Sequence, residues 1–250
     1  MNKQQELSGR ARVIPPDDGA IQYCGRVAHV SDTSGASLCR FDWPGTEIRF
    51  TVQGSAAVYL RMEGANNFFN LIVGDRSPGV LACDDGIKEY RVANDLDPTI
   101  ETHICVCKRT EAVAQFPGKI TGCVTLAGLL LDPGGQLVKH VGPSRRAIEF
   151  VGDSDTAAYG NLGTRTGLEV ADRSVFADPS KQDASRSWAA FVANAFRAEC
   201  HNISWSGMGA VWNAPGHSAN GAMNRHYCRL LATQGDQSAT LASLDHPILP

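Results

Sequence analysis

The stretch AIEFVGDSDTAAYGNLG, residues 147–163, decides how this chain is read. Residues 147–151 form a short apolar run, the pattern of a strand buried on both faces of a parallel sheet. The run stops at Gly152-Asp153-Ser154, so a serine is set where the buried strand turns. In open α/β sheets ligands bind at the carboxyl ends of the strands, which puts Ser154 on the functional edge. Further along, Trp188, Phe191, Val192, Ala195, Phe196 and Glu199 recur at i, i+3, i+4, i+7, i+8 and i+11. That spacing predicts an amphipathic helix, with Asp183 or Ser185 as its cap. Residues 201–205 read as a second strand, ending in Ser206-Gly207-Met208-Gly209. Strand, helix and strand make a βαβ unit and bring the Gly207 N–H to the same edge as Ser154. A hydroxyl beside a flexible backbone donor is the beginning of an acyl-transfer site.

Upstream the pattern is different. Residues 1–20 are polar and carry Pro15-Pro16-Asp17-Asp18-Gly19, which predicts a loose arm. Residues 21–141 read as β-structure. Ile48, Phe50 and Val52 alternate with Arg49 and Thr51; after the turn at Gln53-Gly54-Ser55, Val58, Leu60 and Met62 alternate again. Two such runs predict a hairpin with one buried face. Residues 69–73, 102–108 and 119–131 add further strands, and this spacing predicts a β-sandwich. Gly142-Pro143-Ser144-Arg145-Arg146 reads as a linker into an α/β domain at 145–250.

Composition narrows the function. The 250 residues are 20% charged with a net charge of −3 and no Lys/Arg run, which argues against nucleic acid and anionic membrane as partners. No stretch approaches the ~18 apolar residues of a membrane span. The amino terminus shows no apolar core of a signal peptide, which leaves the compartment unknown. Eight cysteines are scattered without a CxxC. They read as buried or surface thiols, with the disulfides of a secreted protein as the alternative. No metal and no cofactor is expected; Asp153 and Asp155 read as a solvated turn. Asn202-Ile203-Ser204 fits a glycosylation sequon but falls on a buried strand.

Gly152-Asp153-Ser154, Tyr159-Gly160-Asn161 and Ser206-Gly207-Met208-Gly209 resemble the first two blocks of SGNH (GDSL-type) hydrolases. Upstream stand Gly25-Arg26, Trp43-Pro44-Gly45, Lys108-Arg109-Thr110-Glu111, Leu131-Asp132 and Arg146-Ala147-Ile148-Glu149-Phe150. In this order the motifs resemble carbohydrate esterase family two, acetyl-xylan-type esterases, from about residue 21 to at least 228. The resemblance implies an N-terminal all-β, jelly-roll-like sandwich followed by a flavodoxin-like α/β SGNH-hydrolase domain with a parallel sheet. It implies Ser154 as nucleophile, the Ser154 and Gly207 N–H groups as oxyanion hole, and Asp153 as the residue that orients the turn. It also implies a small-molecule or polysaccharide acetyl ester as substrate, and secretion.

Two positions depart from the pattern: Asp155 stands where an aliphatic is usual, and Ala158 where glycine is common. The family's Gly-Thr-Asn-Asp and Asp-x-x-His blocks, which carry a third oxyanion donor and the base, are not found after residue 209. An α/β domain truncated at its carboxyl end is therefore expected. His217, in Ala214-Pro215-Gly216-His217, is the candidate base on the right edge. His201 starts its strand about 13 Å away from that edge at about 3.3 Å per residue. His226 reads as exposed. Trp212 is the candidate for a substrate cleft, while Trp188 and Trp205 read as core. Lys108, Arg109 and Glu111 read as an ion-pair cluster where the two domains meet. The alternative function is a non-catalytic carbohydrate-binding β-sandwich module with a vestigial hydrolase remnant.

Overall fold

In the computed structural model, which describes residues 12–116, 119–139, 146–163, 178–215 and 221–233, the alternating apolar residues build two antiparallel sheets. The first holds β1 (Arg12–Ile14), β3 (Ala28–Ser31), β4 (Ser37–Phe41), β6 (Val58–Glu63), β9 (Lys88–Ala93) and β13 (Val124–Leu131). The second holds β2 (Gln22–Cys24), β5 (Glu47–Gln53), β7 (Phe68–Val73), β8 (Gly79–Ala82), β10 (Thr102–Lys108) and β14 (Gln136–Val138). A short ribbon, β11 (Gln115–Phe116) with β12 (Lys119–Ile120), lies outside both. One core joins the two sheets. Ile48, Phe50 and Val52 meet Val58, Leu60, Met62, Leu126 and Leu129 in it, all buried.

The predicted hairpin is corrected here. β5 pairs with β2, β10 and β14, whereas β6 pairs with β9 and β13, so the turn after Gln53 passes from one sheet to the other. Gly54 makes that passage with φ +77°, and its N–H donates to the Pro98 carbonyl at 2.9 Å. A hairpin and a sheet-to-sheet arch bury the same alternate side chains, so the period predicts the core and not the pairing. The loose arm also ends early. Arg12, Val13 and Ile14 pair with Leu131, Leu130 and Leu129, and buried Ile14 anchors them; residues 1–11 lie outside the described ones.

The second unit starts with β15 (Ala147–Gly152), parallel to β16 (Glu199–Ser204), in register from Ala147 opposite Glu199 to Gly152 opposite Ser204. Between them run α1 (Ser154–Ala157) and α2 (Trp188–Ala195); α3 (Met223–His226) follows. The helix at 188 is present, but its face and its cap differ from the prediction. Ser187 is the cap, its Oγ accepting the Ala190 N–H at 3.1 Å, while Asp183 caps the preceding turn Ala184–Arg186. Ala189, Ala190 and Ala193 are buried, and Trp188, Phe191 and Phe196 are 50% to 61% exposed. The cause is close approach. Small side chains let α2 lie against Phe150 of β15, and large ones on that face would hold it away. Trp188 is therefore not core; it lies edge-on to Phe150, with ring centroids 5.4 Å apart.

Candidate active site

The parallel register brings two turns side by side. The Trp205 N–H donates to the Gly152 carbonyl at 3.3 Å, so the segments carrying Ser154 and Gly207 leave the sheet at the same edge. Ser154 opens α1, half-buried, and its carbonyl accepts the Tyr159 N–H at 2.9 Å. Asp153 caps this helix, Oδ1 accepting the Asp155 N–H at 3.2 Å, which fixes the turn holding the serine. Neither the Ser154 nor the Gly207 N–H has a hydrogen-bond partner among the described residues. Gly207 has φ +77°, a conformation in which a side chain would be strained.

Gly152 is required for a second reason. A Cβ there would lie 2.1 Å from Thr156 Oγ1 and 2.8 Å from Thr156 Cβ. Gly152→Ala is expected to cost about 1–3 kcal/mol by overpacking the turn. Urea unfolding measures this, and a loss below about 0.5 kcal/mol would show that Thr156 can simply yield.

Below the turns lies a buried polar seam between the sandwich and the parallel pair. Glu111 is its centre. Its Oε2 accepts the Ser206 N–H at 2.7 Å and its Oε1 accepts Gln182 Nε2 at 3.0 Å, while Gln182 Oε1 accepts the Glu111 N–H at 3.0 Å. Burial pushes the Glu111 carboxyl above its usual range. Fully buried Lys108 donates to the Thr110 and Glu111 carbonyls at 2.6 and 2.9 Å, and burial lowers it to about 8. Arg109 Nε donates to the Gln182 carbonyl at 3.0 Å and stands 4.0 Å from Asp183 Oδ2. The expected cluster is thus at the domain junction, but backbone hydrogen bonds hold it more than ion pairs do. Asn202 of the sequon is buried within the same unit, its Nδ2 donating to the Thr156 carbonyl at 2.8 Å.

A mostly apolar cavity of about 440 Å³ opens beside the end of β15, lined by Val151, Gly152, Met208, Ala210, Met223 and Tyr227 among others. Ser154 does not line it. The Tyr227 hydroxyl donates to Glu149 Oε2 at 2.6 Å, and Arg26 Nη2 binds Glu149 Oε1 at 2.7 Å. The Arg26 guanidinium lies against the Tyr227 and Trp43 rings, 5.0 and 6.0 Å from their centroids. Arg26, Trp43 and Glu149 were visible only as motif members; the structure joins them through the cavity-lining Tyr227 and the Arg26 guanidinium. Trp212 stands in the loop beyond Ala210, 86% exposed, and Trp205 is partly buried with its Nε1 donating to the Val113 carbonyl at 3.2 Å.

Among the described residues no hydrogen bond joins a histidine to Ser154, and His217 lies outside them. His226 is buried, not exposed: it lies edge-on to Trp205 at 5.5 Å, with Nδ1 3.2 Å from the Ala232 carbonyl. His201 sits opposite Glu149, well before the end of its strand. All eight cysteines are free thiols.

Residues 23–140 match the model of the carbohydrate esterase 2 N-terminal domain. The chain is 28% identical over 213 residues to a cellulase/esterase of Acetivibrio thermocellus, covering 84% of this chain and 23% of that protein. It is 28% identical over 194 residues to an acetylxylan esterase / glucomannan deacetylase of Cellvibrio japonicus, covering 78% of this chain and 49% of that protein. A family two carbohydrate esterase from Cellvibrio japonicus shares the fold with a TM-score of 0.73 at 20% identity, covering 92% of this chain and 62% of that one. Residues 23–140 thus match the carbohydrate esterase 2 N-terminal domain, and the chain is similar to family-two carbohydrate esterases while spanning less than two thirds of the relatives' lengths.

Proposed function

We propose that the chain belongs to an SGNH-type hydrolase that removes acetyl groups from a carbohydrate. The observation that carries this is the delivery of Ser154 and Gly207 to one edge by the β15–β16 register. In this reading Ser154 Oγ attacks the acetyl carbonyl carbon while a base takes its proton. The Ser154 and Gly207 N–H groups hold the tetrahedral oxyanion. The carbon–oxygen bond to the sugar then breaks, the sugar oxygen takes the proton, and water hydrolyses the acetyl-enzyme. No described histidine is hydrogen-bonded to Ser154, and His217, outside the described residues, is the candidate base that the sequence offers. The carbohydrate substrate is supported by the acetylxylan and glucomannan named for the Cellvibrio japonicus relative.

The test is acetate release from acetylated xylan or glucomannan oligosaccharides by the purified chain, with and without a serine-directed alkyl fluorophosphonate. The expected result is acetate release that the reagent blocks, with the added phosphonyl group located on Ser154 by mass spectrometry. Absence of release, or release with no label on Ser154, would overturn the proposal. Oligosaccharide binding without release would instead support the non-catalytic module.

A further inference from the structure

At the far end of β16 from Ser154, a second group of side chains meets across the junction of the two units. We propose that Cys24, Glu199 and His201 form a binding site for a divalent transition metal ion of the zinc class, where the sequence alone gave no reason to expect a metal. The Cys24 Sγ, a Glu199 carboxylate oxygen and a His201 ring nitrogen all lie within 4.8 Å of one another. A tetrahedral zinc ion with bonds of about 2.0–2.3 Å holds its donors about 3.5 Å apart. Side-chain rotation alone closes a gap of that size.

The backbone explains the convergence. Glu199 and His201 are two apart on β16, so they share one face. Cys24 comes from β2, opposite Glu47 of β5, and its Sγ is aimed at β16, 3.9 Å from the Cys200 carbonyl. Two donors from one strand and a third from the facing strand would join the sandwich to the parallel pair. A thiol, an imidazole and a carboxylate form a borderline-soft set that favours zinc or cobalt over calcium or magnesium. The side chains of Glu199 and His201 are 27% exposed, so an ion can enter and a water can complete the coordination.

The surroundings fit the charge. The bound ion, a Cys24 thiolate and the Glu199 carboxylate sum to zero. Arg49 Nη1 holds the other Glu199 oxygen, Oε1, at 2.9 Å, and is itself paired with Glu47. That contact orients the carboxylate and leaves Oε2, 3.7 Å from His201 Nε2, directed to the site. Nothing in this arrangement depends on the hydrolase reading of Ser154.

The experiment is a cobalt(II) titration of the metal-stripped, reduced protein. One equivalent is expected to give a thiolate-to-cobalt charge-transfer band with visible bands of tetrahedral intensity. Cys24→Ser should abolish the charge-transfer band, and His201→Gln should weaken binding at least about tenfold. Zinc should raise the Tm of the wild type and not that of His201→Gln, a substitution at a partly exposed side chain that leaves the fold intact. No charge-transfer band in the wild type overturns the site. A band that survives Cys24→Ser but is lost in Cys105→Ser or Cys107→Ser places the metal on other thiols and overturns it equally.

Discussion

Ser154→Ala is expected to lower acetate release by at least about 10³-fold while leaving the unfolding midpoint unchanged. Without its hydroxyl the site loses the covalent step and keeps only what the oxyanion donors and binding contribute. Stability should be spared because the half-buried Ser154 side chain has no hydrogen-bond partner among the described residues, and the turn is held by Asp153 instead. Surface changes of this kind stay within about 0.5 kcal/mol. Initial rates on an acetylated oligosaccharide, together with a thermal melt of the same sample, give both quantities. Equal rates for the two proteins would remove Ser154 from the reaction, and a fall in rate that follows a fall in Tm would reduce the effect to folding.

Glu111→Ala is expected to destabilise the protein by about 3–5 kcal/mol, because it opens a buried charged network at its centre. The Ser206 N–H and the Gln182 amide lose their acceptor, and Lys108 loses a neighbouring negative charge. Glu111→Gln keeps the volume and one acceptor oxygen, so one of the two donors stays satisfied. Its cost is expected to be about 1–3 kcal/mol, the penalty of a single buried donor left without a partner. Urea unfolding of the two variants tests the ordering. A cost below about 1 kcal/mol for Glu111→Ala would mean that the seam does not hold the units together.

Much of this was legible in the residues. The alternation of Ile48, Phe50 and Val52 with Val58, Leu60 and Met62 identified six core side chains correctly, because side-chain period follows from strand geometry alone. Which strands they pair with depends on contacts far along the chain, such as β5 against β10 and β6 against β13, and no local pattern encodes those. The α2 face was misread because hydrophobicity weights Trp188 and Phe191 above Ala189 and Ala193, whereas close packing on Phe150 selects the small residues. The edge carrying Ser154 and Gly207 was readable from the βαβ order. The role of Glu111 was not, since a carboxylate that serves a turn nearly a hundred positions away, at Ser206, leaves no periodic trace.

The polarity of the seam has a consequence for how the chain is made. Synthesis proceeds from the amino end at about 5–20 residues per second, and domains fold as they emerge. β14, the last strand of the sandwich, ends at Val138, well before Gln182 and Ser206 leave the ribosome. For that interval Arg109 and Glu111 face water, and a charged face waits for its partners without inviting other chains. A face of leucines in the same place would be a sticky patch on every nascent molecule. Burying charge at the junction weakens the finished protein relative to an apolar contact, and in exchange the half-made one stays dispersed.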